Sequence, residues 1–270
     1  MGLTTDMGID YTALIDQVRS RRPLVHNITN YVVMNFTANA LLAVGASPVM
    51  AHALEEMEEM VSLASALVVN IGTLSSPWIE AMKTAVGVAR QRQIPIILDP
   101  VGAGATQLRT RTARRLLEMG GPIIVRGNAS EICALANESA KTKGVDSTLA
   151  SDQAIEAARV LVDQHGATVV VSGKIDHIVD AQGHIEVHNG SPLMAQVTGT
   201  GCVASALLGA LATTADYGPA AVATMLTMGI AGELAATQAP GPGTFLPHFL
   251  DALAYLDGEQ LSSQARLLVH

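Results

Sequence analysis

The stretch Val197-Thr198-Gly199-Thr200-Gly201-Cys202-Val203-Ala204-Ser205-Ala206-Leu207 joins a glycine turn directly to an uncharged segment of small residues. Gly199 and Gly201 flank one small residue, so the backbone can turn tightly and present successive N–H groups to a ligand. Residues 202–215 contain neither charge nor proline and predict a buried helix. Such a turn favours an anion, because free amides and the helix dipole both point at it. An ordinary strand-to-helix connection has the same pattern, so the turn alone leaves phosphate binding open.

Cys202 falls in the first turn of that predicted helix. A helix N-terminus lowers the pKa of a thiol, which suits Cys202 to the role of base or nucleophile as well as to plain packing. The chain has one other cysteine, Cys133, and therefore no disulfide framework. This cysteine content predicts a reducing compartment.

Length and composition describe an acidic chain with a large apolar fraction. Its 270 residues are 49% hydrophobic and 15% charged, and the formal net charge is −8 at pH 7. These values predict one α/β domain over 1–270, with helix faces buried in its core or in a subunit interface. The negative charge argues against a general nucleic-acid surface, which needs a basic stripe, but not against a small anionic substrate.

The sequence lacks the patterns of a targeting signal and of a membrane span. The first ten residues have no signal-peptide core, and Asp6 stands where myristoylation requires Ser or Thr. The apolar runs 201–215 and 217–232 are shorter than the ~20 residues that a bilayer span needs. We therefore expect a cytoplasmic protein without nucleic-acid or membrane partners.

Strand-like apolar runs alternate with helical segments along most of the chain. The run 67–71 is typical of a strand covered on both faces of a parallel sheet. Repeated alternation implies right-handed crossovers and a doubly wound, mostly parallel sheet flanked by helices. The other predicted strands are 23–26, 47–51, 94–98, 122–125 and 168–171, with a hairpin at 175–179 and 185–188. The predicted helices are 11–22, 31–44, 54–66, one beginning at 76, 110–119 and 151–165, with a loop at 137–150.

Polar or small residues follow the predicted strands, where a doubly wound sheet collects its ligands. Each of them alone has an ordinary explanation as a turn or surface residue, but topology places them on one edge together with the glycine turn. That edge would hold an acid, a guanidinium and several small polar groups. The residues are His26, Asn27, Met50, Gly72, Asp99, Arg126 and Ser172.

Several motifs occur in a fixed order along nearly the whole chain. They are Val25-His26-Asn27-Ile28-Thr29-Asn30-Tyr31-Val32, Gly45-Ala46-Ser47-Pro48-Val49-Met50, Leu98-Asp99-Pro100-Val101-Gly102-Ala103, Arg126-Gly127-Asn128-Ala129-Ser130-Glu131 and Val197-Thr198-Gly199-Thr200-Gly201-Cys202. In this order they resemble the hydroxyethylthiazole kinases of the ribokinase-like superfamily. A single Gly-x-Gly would not be specific, whereas this set of motifs is.

The resemblance implies phosphorylation of the primary alcohol of 4-methyl-5-(2-hydroxyethyl)thiazole by ATP with Mg²⁺, in thiamine biosynthesis or salvage. It also implies a homotrimer with acceptor sites between subunits. By motif position, it assigns the anion hole to Gly199, Thr200, Gly201 and Cys202, ATP contacts to Arg126, Asn128 and Ser172, the magnesium site to Asp99 and Glu131, and the thiazole pocket to Met50, Gly199 and Asn27.

Cys202 marks one departure from the wider superfamily, where related kinases have Asp as the catalytic base. Cysteine is expected there within the hydroxyethylthiazole kinases, but the identity of the base stays open. Three other functions remain: a ribokinase-like kinase of a pyrimidine or vitamin alcohol, a cysteine hydrolase, and a ligand-binding module without catalysis. A hydrolase needs a base beside its nucleophile, usually His, and His26 is the one histidine on the predicted edge.

Overall fold

The computed structural model of the chain describes residues 11–136 and 147–270. Helices and strands alternate over most of the first two thirds of the chain, and a hairpin, four helices and a short last strand follow. The strands are β1 Leu24–Ile28, β2 Ser47–Val49, β3 Ala66–Asn70, β4 Ile96–Asp99, β5 Ile124–Asn128, β6 Thr168–Ser172, β7 Asp176–Asp180, β8 Gly183–Val187 and β9 Leu267–Val269. The helices are α1 Tyr11–Arg21, α2 Met34–Ala43, α3 Met57–Leu63, α4 Ser76–Arg92, α5 Gln107–Gly120, α6 Ala129–Ala136, α7 Ser147–His165, α8 Thr200–Leu211, α9 Tyr217–Gln238, α10 Pro242–Tyr255 and α11 Gly258–Gln264.

These strands form one sheet in the order β2-β1-β3-β4-β5-β6-β7-β8-β9. The six strands β1 to β6 all run parallel to one another. β7 is antiparallel to β6, and the pairs β7–β8 and β8–β9 are antiparallel as well. The predicted mostly parallel sheet and the hairpin are therefore confirmed. Because β1 to β6 are parallel, their carboxyl ends lie at the same edge of the sheet, which we call the carboxyl edge.

Each face of the sheet is covered by its own apolar cluster. One cluster joins α1, α2 and α8 to α11 to strand residues such as Val25 and Val68, and the other joins α3 to α7 to alternate strand residues such as Leu67 and Val69. Helix α8 lies very close to the sheet, because a Cβ on Gly209 would stand 2.7 Å from a methyl of Val68. Period-two burial on two covered faces explains why the parallel strands are so apolar.

Two strands extend beyond their predicted ends into polar residues. The predicted strand ends at His26, which pairs with Val49, but β1 continues to Ile28, so Asn27 pairs with Val68 inside the strand and does not follow it. Similarly, Arg126 belongs to β5 and pairs with Val170. Main-chain pairing on both sides continues these strands, because a polar side chain does not interrupt a backbone ladder.

Three helical predictions also need correction. The helix predicted at 54–66 begins as a 3-10 turn, Leu54–Glu56, and α3 ends at Leu63. Helix α7 includes 147–150, which were predicted as loop, because Leu149 and Ala150 favour helix; the rest of that loop, 137–146, lies outside the described residues. Helix α9 continues to Gln238 and so reaches the length of a membrane span, but most of it is buried and it serves as a core helix.

Candidate active site

The glycine turn lies at the N-terminus of α8, as the sequence predicts. Gly199 is the N-cap residue with φ +96°, and its carbonyl accepts from the N–H of Val203 at 2.8 Å. A Cβ at this position would stand 3.1 Å from side-chain atoms of both Val33 and Phe36, so conformation and space both require glycine. The first amides of α8 have no partner within their own helix and are available to an anion.

Arg126 lies directly against this helix end. A Cβ on Gly201 would stand 2.6 Å from Arg126 Nη1, which means that glycine allows the guanidinium to approach the α8 backbone. Arg126 Nη2 donates to Ser172 Oγ at 2.5 Å, while its buried Nε has no hydrogen-bond partner. These residues and Thr200 line a cavity of about 680 Å³, to which Lys174 also contributes. The cavity is large enough for a small-molecule ligand and presents cationic groups and helix amides to it.

Asp99 ends β4 next to Asn70, which ends β3 in the paired register position. Its Oδ2 accepts from Asn70 Nδ2 and from Ser205 Oγ, each at 2.8 Å, whereas the buried Oδ1 has no partner. Burial raises the pKa of Asp99 to about 6, against the opposing effects of Arg126, Ser205 and Asn70, and the nearby Glu131 raises it further. The unpaired Oδ1 is a free buried acceptor, such as a cation or its bound water would occupy.

Asn70 connects this acid to Cys202. Its Nδ2 donates to Cys202 Sγ at 3.2 Å as well as to Asp99, and its Oδ1 accepts from the N–H of Gly72 at 2.9 Å and from Asn30 Nδ2 at 3.1 Å. Asn30 Nδ2 also lies 3.6 Å from the sulfur. The amide of Asn70 thus uses all of its donors and acceptors and has one orientation. We call this group the Asn70 network; it comprises Asn30, Asn70, Asp99, Cys202 and Ser205.

The thiol of Cys202 does not have the lowered pKa that its place at a helix N-terminus predicts. Burial raises the pKa to about 11 and the charge of Asp99 adds to this effect, while the Asn70 and Asn30 donors and Arg126 oppose it. In a buried position, the cost of desolvating a thiolate exceeds the benefit of the helix dipole. The expectation of an activated thiol is therefore wrong for this structure.

Glu131 is held by backbone amides on both sides of its carboxylate. Oε1 accepts from the N–H of Gly102 at 2.8 Å and Oε2 from the N–H of Asn128 at 2.9 Å. Asn128 returns the contact, because its Oδ1 accepts from the Glu131 N–H at 3.0 Å and from Ser130 Oγ. This reciprocal cap starts α6 and fixes the carboxylate beside the loop after β4. Each carboxylate oxygen retains a lone pair, so Glu131 can still hold a hydrated metal.

The residues assigned to the acceptor pocket lie at the β1–β2 side of the carboxyl edge. Met50 directly follows β2 and is half-buried. Asn27 Nδ2 donates to the carbonyl of Val25 at 2.9 Å, and its buried Oδ1 has no partner. His26 Nε2 lies 2.9 Å from the carbonyl oxygen of Ala51, and burial lowers the pKa of this imidazole. The contacts described for His26 do not include Cys202, so it is not placed as a base for that thiol.

Sequence reasoning missed Asn30, Asn70, Ser205 and Arg109. Arg109 Nη1 donates to the carbonyls of Ile71 at 3.0 Å and Val101 at 2.7 Å, and its Nη2 to that of Gly72 at 2.9 Å, so it ties together the loops after β3 and β4. The polar end of an otherwise apolar strand was the available signal for Asn70. Arg109 had none, because it is one of several arginines in α5.

The fold can be compared with solved structures before any particular family is considered. The chain has a ribokinase-like α/β fold: a ribokinase-like superfamily protein from Enterococcus faecalis matches 95% of this chain and all of its own at a TM-score of 0.62, with 17% identity. Pyridoxal kinase from Staphylococcus aureus matches 78% of this chain and 88% of its own at a TM-score of 0.59, with 16% identity. At such identities the likeness shows the fold alone.

A particular family within this class follows from nearer relatives. The family model described as "Hydroxyethylthiazole kinase family" matches residues 15–259. A hydroxyethylthiazole kinase from Syntrophus aciditrophicus is 57% identical over 258 residues, which cover 95% of this chain and 96% of the relative. The structure of the hydroxyethylthiazole kinase from Pyrococcus horikoshii covers 96% of this chain and 98% of its own at a TM-score of 0.89, with 42% identity. The chain belongs to the hydroxyethylthiazole kinase family.

Proposed function

We propose that this protein transfers the γ-phosphoryl group of ATP, with Mg²⁺, to the primary hydroxyl of 4-methyl-5-(2-hydroxyethyl)thiazole, in thiamine biosynthesis or salvage. The observation that carries the proposal is the contact between Arg126 and the N-terminus of α8, where Gly201 leaves room for the guanidinium. Phosphoryl transfer requires mainly positioning and stabilisation of charge on the equatorial oxygens. Helix amides and a guanidinium that are already in place provide this stabilisation without reorganisation.

ATP would lie in the cavity beside Arg126, with its phosphates directed at the amides from Gly199 to Cys202. Ser172 keeps the guanidinium in place through its 2.5 Å hydrogen bond. Lys174 lines the same cavity and adds a second cation. Asn128 would contribute through its Nδ2, because its oxygen already accepts from Glu131 and Ser130.

Asp99 and Glu131 would hold Mg²⁺, which supplies charge neutralisation to the phosphates when it is bound. Asp99 offers its unpaired Oδ1, and Glu131 offers a carboxylate that two backbone amides fix in place. Mg²⁺ commonly binds through one or two carboxylates while retaining several waters, which suits this pair. We expect Glu131→Gln to raise the magnesium requirement far more than the KM for the thiazole alcohol. If neither parameter changes, Glu131 has only its capping role.

The thiol of Cys202 contributes position more than proton abstraction in this mechanism. With a pKa of about 11, roughly one thiol in 10⁴ is ionised at pH 7. A loose transition state needs little removal of the alcohol's proton at an early stage, so this small fraction does not prevent turnover. The sulfur, held by the Asn70 and Asn30 amides, would border the alcohol next to the transferred group.

The acceptor pocket would be formed by Met50, Gly199 and Asn27 at an interface between subunits of a homotrimer. Met50 suits a flat sulfur heterocycle, because its side chain is flexible and polarisable. The pocket lies beside the outer strand β2, and large apolar side chains are exposed in the segments that flank β1, β2 and β3: Tyr31, Val32, Leu42, Leu54 and Leu63. Light scattering should therefore give a trimeric mass, and a monomeric mass with activity unchanged on dilution would contradict the assembly.

One experiment separates this function from the others. Purified protein with ATP and Mg²⁺ should form ADP only when the thiazole alcohol is added, and pyridoxal or hydroxymethylpyrimidine should support much slower turnover. Preference for either of those alcohols would indicate another ribokinase-like kinase, and absence of ADP with all three would indicate a binding module. A hydrolase would release product without ATP, but the Cys202 thiol has amide neighbours rather than an imidazole among its described contacts. One domain over 1–270 and a cytoplasmic location complete the proposal.

A further inference from the structure

A second group of titratable side chains lies on the antiparallel part of the sheet, away from the cavity's phosphate end. Strand β8 places His184 and Glu186 two residues apart and therefore on one face, and His177 of β7 pairs directly with Glu186. His188 continues the same alternation just after β8, and the His270 ring stacks on His184 with centroids 4.6 Å apart. We call these five residues, four histidines and one glutamate, the imidazole cluster.

The polar atoms of three members converge on one point. His177 Nδ1 lies 3.0 Å from His184 Nε2 and 3.7 Å from Glu186 Oε1. One ligand atom from each of these residues lies within 4.8 Å of the other two. Ligands at the ~2.0–2.1 Å bond lengths of tetrahedral zinc stand about 3.3 Å apart, which is between the two observed separations. The third pair of ligand atoms lies within 4.8 Å, so the side chains would turn from their present hydrogen bonds toward a common point to receive a metal ion.

A metal binds an imidazole through a nitrogen that carries no proton. Each of the two rings would therefore hold its single N–H on the nitrogen that points away from the ion, and the carboxylate of Glu186 would supply negative charge.

The surroundings supply what a bound metal needs beyond its ligands. His188 Nε2 lies 2.8 Å from Glu186 Oε2 and fixes the carboxylate. Oε1 now contacts His270 Nε2 at 3.0 Å, and the exposed His270 would release this oxygen to the metal. The fourth position is then open to the His270 ring or to water. Asp152 and Arg159 of α7 are the charged groups that face the cluster from the helix packed over it, and their opposite charges offset one another.

From this geometry we propose that His177, His184 and Glu186 form a binding site for a divalent transition metal, with Zn²⁺ as the preferred ion. Two imidazoles, one carboxylate and an open fourth position form a ligand set that zinc uses in proteins, whereas Mg²⁺ and Ca²⁺ prefer oxygen ligands. The bound ion would replace the His177–His184 hydrogen bond and connect β7 to β8. The site is separate from the proposed Mg²⁺ site on Asp99 and Glu131.

The test uses the full chain after chelator treatment and dialysis. Titration with Co²⁺ should produce the intense visible bands of four-coordinate cobalt, saturating at one ion per chain, and Zn²⁺ should abolish them by competition. Zn²⁺ should also raise the Tm. Loss of an outer-shell partner costs about 10–100-fold in metal affinity, and we expect His188→Gln to fall in that range. His177→Ala and His184→Ala should weaken binding by more than 100-fold, because each removes a ligand.

Two further variants keep the result interpretable. His184→Gln retains size and polarity, so it serves if the alanine variant fails to fold, and circular dichroism without metal establishes its folding. His248→Gln removes a histidine of α10 outside the cluster and should bind Co²⁺ as the wild type does. The proposal is overturned if the wild type shows only the weak bands of six-coordinate cobalt, or if binding persists unchanged in His177→Ala and His184→Gln.

Discussion

The Asn70 network and the imidazole cluster are both largely buried groups of titratable side chains on one sheet, yet the pKa values of their carboxyl groups shift in opposite directions, upward for Asp99 and downward for Glu186. In the Asn70 network, burial raises the pKa of Asp99 to about 6 and that of Cys202 to about 11, so negative charge is disfavoured. In the imidazole cluster, burial holds two histidines neutral, while neighbouring rings keep Glu186 ionised. The carboxyl group of Asp99 therefore takes up a proton at a higher pH than that of Glu186, although both are mostly ionised at neutral pH and each can face a cation.

The difference shows that local donors, and not burial alone, decide what a polar cluster can bind. Asp99 has two hydrogen-bond donors on one oxygen and none on the other, so its charge is only partly compensated. Glu186 has imidazole partners on both oxygens. A carboxylate that accepts charge-stabilising hydrogen bonds keeps its charge even when burial opposes it.

Removing the guanidinium of Arg126 should cause the largest loss of activity. Arg126→Met nearly keeps the length of the side chain but removes the guanidinium that lies against the α8 backbone at Gly201. We expect kcat/KM to fall by about 10²–10³, the loss typical of one preorganised donor. Arg126→Lys should recover part of this activity, because it restores the charge without the planar fork. Steady-state kinetics on both variants checks the prediction, and a loss under tenfold in Arg126→Met would contradict it.

Asn70→Asp should convert the connecting amide into a second carboxylate. The new oxygen would face Asp99 Oδ2 at the present 2.8 Å separation, and the donor to Cys202 would be lost. Two carboxylates at this distance cannot both ionise, so we expect a loss of about 2–3 kcal/mol in the free energy of unfolding at pH 8. The exposed Asn39→Asp on α2 is the matched control and should unfold like the wild type in urea. Equal midpoints for the two variants would contradict the prediction.

Ser205→Ala should have a smaller, pH-dependent effect on stability. The hydroxyl donates to Asp99 Oδ2 at 2.8 Å, and its removal should cost about 1–2 kcal/mol while the carboxylate is ionised. Because Ser205 lowers a pKa that lies near 6, its removal raises that pKa. The loss should therefore be full at pH 8, shrink as the pH falls through the variant's raised pKa toward 6, and be largely gone at pH 5. Denaturant unfolding at pH 8 and at about pH 5 measures the loss in the free energy of unfolding, with the exposed Ser263→Ala as control. A loss that grows toward low pH would contradict the prediction.

Cys202→Ala should have the smallest effect, less than about tenfold in kcat, since few thiols are ionised and general-base help is weak in a loose transition state. Cys202→Asp should equal or exceed the wild type, because Asn70 and Asn30 already provide donors for a carboxylate. In the Cys133→Ala variant, which removes the second thiol, alkylation of Cys202 measured by mass spectrometry should accelerate about tenfold per pH unit without levelling below pH 10. If Cys202→Ala is inactive and Cys202→Asp does not restore turnover, the hypothesis that Cys202 is a nucleophile would have to be considered again.

The sequence was a good guide to the fold and to one edge of the sheet, for a physical reason. Continuous apolar strands separated by helices allow few topologies, and parallel strands bring their carboxyl ends together, so Arg126, Ser172 and the Gly199 turn could be expected on one edge. The Asn70 network was predicted only in part: Asp99 and Cys202 were expected at this edge, whereas Ser205 is a lone hydroxyl in an apolar run and the one signal for Asn70 was its place at the polar end of an apolar strand. The direction of the Cys202 pKa was mistaken, since a helix position is visible in sequence whereas the depth of burial is not.

The two apolar clusters can form at different times during synthesis of the chain. The cluster under α3 to α7 draws its buried residues from Ile28 to Val179, whereas the opposite cluster draws them from Leu14 to Leu267 and depends on α8 and α9. At about 5–20 residues per second, roughly 10–30 s pass between the synthesis of β3 and the completion of α8 and α9. Nascent chains of this protein therefore expose an apolar sheet face during that time, and we expect a chain truncated before α9 to be degraded because it cannot cover this face.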